Sequence, residues 1–117
     1  MPFIDLEKIN PMHVAPGCRL KTPFGEKLML SHVEMDENAE IPLHEHPHEQ
    51  AGIMISGNLR LTIGDETRTI GPGDMYLIPP NTPHRAIAKD GPVVVLDVFS
   101  PIREDYVAKM QEAQEKT

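Results

Sequence analysis

Two histidines one residue apart are the first sign of chemistry. They lie in His44-Glu45-His46-Pro47-His48-Glu49-Gln50, a stretch that Pro42 and Pro47 keep extended. In an extended chain, residues two apart point the same way, so His44 and His46 aim their rings at one point. Imidazole is the commonest nitrogen ligand for zinc, iron, nickel, copper or manganese. Gln50 follows a proline-containing bend and can offer a neutral amide oxygen. A group from elsewhere is needed to close a site. His84 is the candidate, because it begins a strand just after the proline-rich turn at 79–83. Pro47 interrupts the alternation, so the direction of His48 is open. It and Glu49 are read as rim or supporting residues. His13 and His32 lack partners and read as structural or exposed, and Cys18 is a lone thiol.

The second unusual residue is Asp97, an acid inside the apolar run VVVLDVFSPIREDY at 93–106. A buried carboxylate needs a partner or a raised pKa. Three readings stand side by side. Asp97 pairs with Arg103 or Arg85 and is structural; or it supports a metal-bound histidine; or it faces a cavity and moves protons there.

These groups need a scaffold, and length and composition limit what it can be. The chain has 117 residues, enough for one compact domain. It is 39% hydrophobic and 25% charged, which permits a core and argues against global disorder. Aromatic residues make up 4% and tryptophan is absent, which speaks against a stacking platform for single-stranded nucleic acid. A formal net charge of -7 opposes phosphate-backbone binding. One cysteine excludes an intramolecular disulfide and a Cys-rich zinc module. No long apolar run or signal peptide is visible, so the expectation is a cytoplasmic protein without membrane or nucleic-acid partners.

The 12 prolines and 8 glycines are spread along the chain, as expected for short strands joined by tight turns. Residues 1–17 read as an irregular arm with at most one edge strand. Strands are expected at 19–24, 26–35 and 41–46. Residues 50–56 and 59–63 read as a hairpin closed by Gly57-Asn58. Gly64-Asp65 turns into a strand at 66–70, and 71–74 turns into one at 75–78. Further strands follow at 84–88 and, after a turn at 90–92, at 93–99. From Ile102 the spacing of Ile102, Tyr106, Met110 and Ala113 is helical. The plan is an all-β barrel or jelly-roll sandwich with a C-terminal helix. Gln50, Gly52, Met54, Leu59, Leu61 and Ile63 share one face, while Ala51, Ile53 and Ile55 make the other face apolar too. Val94, Leu96 and Val98 do the same in the last strand. A strand apolar on both sides is covered on both sides, which predicts a homodimer.

Two motifs resemble those of the cupins. HEHPHEQAGIMISG at 44–57 is similar to the first cupin motif, and GDMYLIPPNTPH at 73–84 to the second. Gln50 stands where many cupins have Glu, and Asn81 where the second motif usually has Gly. Asn tolerates the left-handed backbone such a position needs. The resemblance implies a cupin double-stranded β-helix, a jelly-roll barrel at 18–101 with an arm at 1–17 and a helix at 102–117 packed on it. It also implies one divalent zinc, nickel, iron or manganese ion bound by His44, His46, Gln50 and His84.

HPHEQ followed by LDVFSPIREDY is similar to a narrower group, the single-domain KdgF-type cupins of pectin and alginate breakdown. These open unsaturated monouronates to linear keto acids. The resemblance implies Asp97, Phe99 and Arg103 as catalytic-pocket residues. Where that group shows a bulky residue, this chain has Ile53, which bears on the pocket wall or the substrate. The expectation is therefore a metal-dependent enzyme acting on a small anionic sugar. The alternatives are a dioxygenase or lyase acting on a small organic acid, and a non-enzymatic sugar-binding or sensor cupin.

Overall fold

The computed structural model describes residues 3–115. Its strands are β1 (Met12–Ala15), β2 (Cys18–Lys21), β3 (Met29–Met35), β4 (Glu40–His44), β5 (Glu49–Ile63), β6 (Glu66–Ile70), β7 (Met75–Ile78) and β8 (His84–Ser100). Among the described residues one α-helix, α1 (Glu104–Glu115), follows β8, and a short 3-10 turn at Leu6–Lys8 precedes β1. The fold is an all-β jelly roll with a C-terminal helix. No helix among the described residues is long and apolar enough to cross a membrane.

Two long strands organise it. β5 and β8 are antiparallel partners along nearly their whole length, and each serves both halves of the sandwich. In one half, β3 and β7 flank them, with β2 and β1 beyond β3. In the other, β4 and β6 flank them. Side chains from both halves, among them Val33, Met35, Met54, Leu59, Leu61 and Val95, fill the core between. α1 lays Tyr106 and Met110, one helical turn apart, onto that core.

The expected hairpin at Gly57-Asn58 does not form. Residues 49–63 are one strand. Ser56 pairs with Val94 and Asn58 with Lys89, so residues 90–93 of β8 stand against Gly57 alone. That is a bulge, and the expected turn at 90–92 is its bulged side within β8 rather than a strand end. Glycine is needed because φ is +85° there and a Cβ would overlap the Pro92 carbonyl oxygen. Parity switches at a second irregularity, where Ile55 is the extra residue between the pairs Met54–Val95 and Ser56–Val94. Gln50, Gly52 and Met54 are buried before it, Leu59 and Leu61 after it. The inward face read from the sequence is therefore right, although the geometry assumed for it is wrong. The two-residue turn is Gly64-Asp65, between the paired Ile63 and Glu66.

Candidate metal centre and polar pocket

His44 ends β4 and His84 begins β8, and the two are cross-strand partners. His46 lies in the link between β4 and β5, and Gln50 is the second residue of β5. One possible ligand atom from each of His44, His46 and His84 lies within 4.8 Å of the others. A metal–nitrogen bond of about 2.1 Å puts nitrogens around one ion roughly 3–3.5 Å apart, so closure by at most about 1–2 Å would seat one. The three rings could hold a metal ion. The backbone prepares them for it. Each Nδ1 meets a carbonyl oxygen, of Pro42 (2.8 Å), His48 (3.1 Å) and Thr82 (2.8 Å) respectively. A ring that donates from Nδ1 keeps a bare Nε2 as acceptor and ligand.

Two further observations fit a cation. His84 Nε2 is buried without a hydrogen-bond partner. His46 Nε2 lies 3.1 Å from Gln50 Oε1. If His46 donates from Nδ1, both of these atoms carry lone pairs, an arrangement that a cation relieves. Burial and the nearby Arg103 and His84 lower the His46 pKa to about 4, and burial also lowers that of His84. Both rings are thus neutral at pH 7, the form that ligates. Asn81 does adopt the left-handed backbone, with φ +60°, and its N–H donates to the His46 carbonyl at 2.8 Å. The turn of the second motif is thereby tied to the loop of the first.

Beside the histidines, Ser31, Asp97, Gly52 and Tyr76 form a row across four strands. Asp97 is 7% exposed, and its partners are neither Arg103 nor Arg85. Arg85 pairs with Glu40 and Arg103 with Asp105. The Tyr76 hydroxyl donates to Asp97 Oδ1, and the Gln50 side chain, lining the same pocket, also acts to lower the pKa of the carboxylate. Burial outweighs both and raises the Asp97 pKa to about 6. Gly52 is what lets the row close, because a Cβ on it would overlap both the Tyr76 hydroxyl and Asp97 Oδ1. Ser31 is fully buried and its Oγ has no partner among the described residues.

Phe99 sits edge-on to His46, 5.6 Å between ring centres. Arg103 is buried, with its guanidinium 3.7 Å from the Tyr106 ring centre and 5.1 Å from that of Phe99. Asp105 occupies its Nε and Nη2. His48 Nδ1 is buried without a partner, Glu49 is exposed, and neither joins the histidine cluster. Ile53 points outward opposite Met75 and so cannot shape the pocket wall.

Tyr76 and Ser31 were not legible as pocket residues, because which strands neighbour Asp97 is a long-range fact. The available signal was Gly52, a glycine at a core-facing strand position, which marks a close approach.

A sequence model of the Cupin domain matches residues 31–99. Over 74 residues the chain is 36% identical to H2HPP isomerase of Bacillus subtilis. That stretch is 62% of this chain, and the chain spans only 30% of the Bacillus protein. It is 28% identical over 85 residues to pectin degradation protein KdgF of Dickeya dadantii (strain 3937), covering 72% of this chain and 77% of that one. The solved structure of KdgF from Halomonas sp. matches with a TM-score of 0.84 at 30% identity, covering 91% of this chain and 98% of the other. An RmlC-like cupin from Shewanella frigidimarina NCIMB 400 matches equally, TM-score 0.84 at 25% identity, over 91% and 96%.

Proposed function

The chain belongs to the cupin domain family, and from that premise we propose that it is a metal-dependent enzyme opening a small anionic sugar, an unsaturated monouronate, to a linear keto acid. The observation that carries this reading is the placement of buried Asp97, with its pKa raised to about 6, beside the three histidines. Likeness to KdgF proteins supports the substrate class, and likeness to H2HPP isomerase supports an isomerisation.

The reaction needs no oxidant. A hemiacetal hydroxyl loses a proton, the ring C–O bond breaks, and the vinylic carbon gains a proton. Asp97 carries that proton between the two positions, which a group titrating near 6 can do in both directions. Arg103 has Asp105 on its Nε–Nη2 edge, which leaves the Nη1 end to hold the substrate carboxylate. Its stacking on Tyr106 fixes the plane of that contact. Phe99 packs on the sugar. A zinc, nickel, iron or manganese ion held by His44, His46, Gln50 and His84 supplies, when bound, polarisation of a substrate oxygen. The internal cavity is about 40 Å³, room for an ion and a water but not for a sugar ring. The sugar therefore lies over the mouth, with one edge reaching Asp97. With a net charge of -7 opposing an anion, Arg103 and the metal are the local attraction.

The test is metal analysis of the purified protein, then a spectrophotometric assay on unsaturated monouronates with oxygen monitored. Loss of uronate absorbance without oxygen uptake supports the reading. Unchanged absorbance with every metal sinks it. Oxygen uptake would move the protein to the dioxygenases.

The working unit is proposed to be a homodimer. Outside the pocket, the same strands carry an apolar face of Leu77, Ala51, Val98, Met75, Ile53 and Leu96, on which Leu77 and Met75 are 60% and 76% exposed. None of these six is charged, so a second copy can cover them without burying an ion.

A further inference from the structure

The Gln50 amide has two nearly isosteric ends, and only one of them can face a cation. Which end turns to the histidines is decided by competition. The NH2 group can turn to His46 Nε2, which the amide already meets, or to the Asp97 carboxylate, which neighbours it on the inward face of the same pocket. A bond to a carboxylate is charge-assisted and about twice as strong as a neutral one, so the amide nitrogen goes to Asp97 and the oxygen is left for the histidines. For that to hold, the carboxylate has to stay put. Asp97 stands one residue pair along from Gln50 on the inward face, because Gln50 is opposite Phe99 and Gly52 is opposite Asp97. On the far side of Gly52, Tyr76 reaches over the missing side chain and holds Asp97 Oδ1.

We propose that Tyr76, lodged over Gly52, is a positioning residue of the metal centre: it fixes Asp97, and Asp97 turns the Gln50 oxygen toward His44, His46 and His84. This rests on the metal-site reading above but assigns Tyr76, which touches no ligand ring, a part in metal binding. Asp97 then serves two purposes, proton carrier and amide orienter.

Cobalt(II) binding tests it without any turnover. Chelator-stripped protein is titrated with Co(II), following visible absorption and affinity, for wild type, Tyr76→Phe, Asp97→Asn, Gln50→Glu and the doubles that combine Gln50→Glu with each of the first two. Outer-shell changes of this kind weaken metal binding about 10–100-fold. The expectation is a loss near the low end of that range for Tyr76→Phe and a larger one for Asp97→Asn. Both losses should vanish in the Gln50→Glu background, because a carboxylate presents oxygen at either end and has no wrong orientation. Equal losses in both backgrounds make Tyr76 merely structural and overturn the proposal, as does unchanged affinity in the single variants. If wild type itself binds no Co(II), the metal-site reading falls and takes this one with it. Tyr76→Phe removes a single oxygen, and Asp97→Asn gives an independent entry to the same cycle should it fold poorly.

Discussion

The hydroxyl of Tyr76 on β7 donates to the carboxylate of Asp97 on β8, although β5 runs between those strands. The bond exists because the β5 residue opposite both of them is glycine. Any side chain at position 52 would occupy the space where the two groups meet. One backbone choice thus settles how the pocket's acid is held.

Gly52→Ala is therefore expected to cost about 1–3 kcal/mol, the usual range for forcing a methyl group into a packed interior. Urea denaturation measures it. The double variant Gly52→Ala/Tyr76→Ala should recover part of the loss, since truncating the tyrosine frees the space. A single variant as stable as wild type would show that the notch is not tight.

Much of this was legible in the chain and some was not. HxH spacing, the proline-held extension and His84 after its turn are local facts, and the alternation of Gln50, Gly52 and Met54 places them inward whatever the connection. The bulge was not legible. Gly57-Asn58 has the composition of a hairpin turn, and only the approach of the Pro92 backbone makes it a kink in one long strand. The partners of Asp97 were not legible for a similar reason. Arginine is the usual match for a buried acid, but Arg85 and Arg103 each have a nearer carboxylate, Glu40 and Asp105.

Metal loading should stabilise the fold. A ligand that binds only the native state adds about 2.7 kcal/mol at one hundred times its dissociation constant. Thermal unfolding of stripped protein, with and without Zn(II) or Ni(II), should show a clear rise in midpoint. His46→Ala removes a ring that sits within the cluster, and its midpoint should not respond to metal. A response equal to wild type would place the binding elsewhere.

The stability of the stripped protein should report the buried acid. The folded pKa of Asp97, about 6, lies above the ordinary value near 3.9, so between those limits the native state binds more protons than the unfolded one. Its contribution to stability is present at low pH and is lost as pH rises through 6. His46, lowered to about 4, works the other way and destabilises the fold as pH falls below 6.5. Comparison with Asp97→Asn cancels the histidines. The stability of that variant relative to wild type should improve by about 2–3 kcal/mol between pH 4 and pH 7. A relative stability independent of pH would mean that Asp97 carries its charge at no cost.

Under saturating metal, Asp97→Asn should lower kcat by at least about a hundredfold, the scale of a lost proton-transfer group. Arg103→Lys should act mainly on KM, because lysine keeps the charge but loses the planar stack on Tyr106 and the paired donors. Steady-state kinetics on an unsaturated monouronate separates the two. Full activity in Asp97→Asn removes it from the chemistry.

The outer face supplies the last expectation. An antiparallel sheet that meets water on one side carries polar residues there, yet Leu77, Met75 and Ile53 stand outward on adjoining strands and Ile55 continues the face. Burying this face would stabilise an assembly at roughly 25 cal/mol per Å² of apolar area, while leaving it wet invites aggregation. Light scattering should give twice the 13.1 kDa chain mass. Leu77→Lys puts a positive charge from each copy into the shared surface. It should yield a monomer that keeps its fold and its metal, since position 77 faces away from the pocket. A wild-type mass equal to one chain, or a Leu77→Lys variant that remains dimeric, rules this face out as the interface.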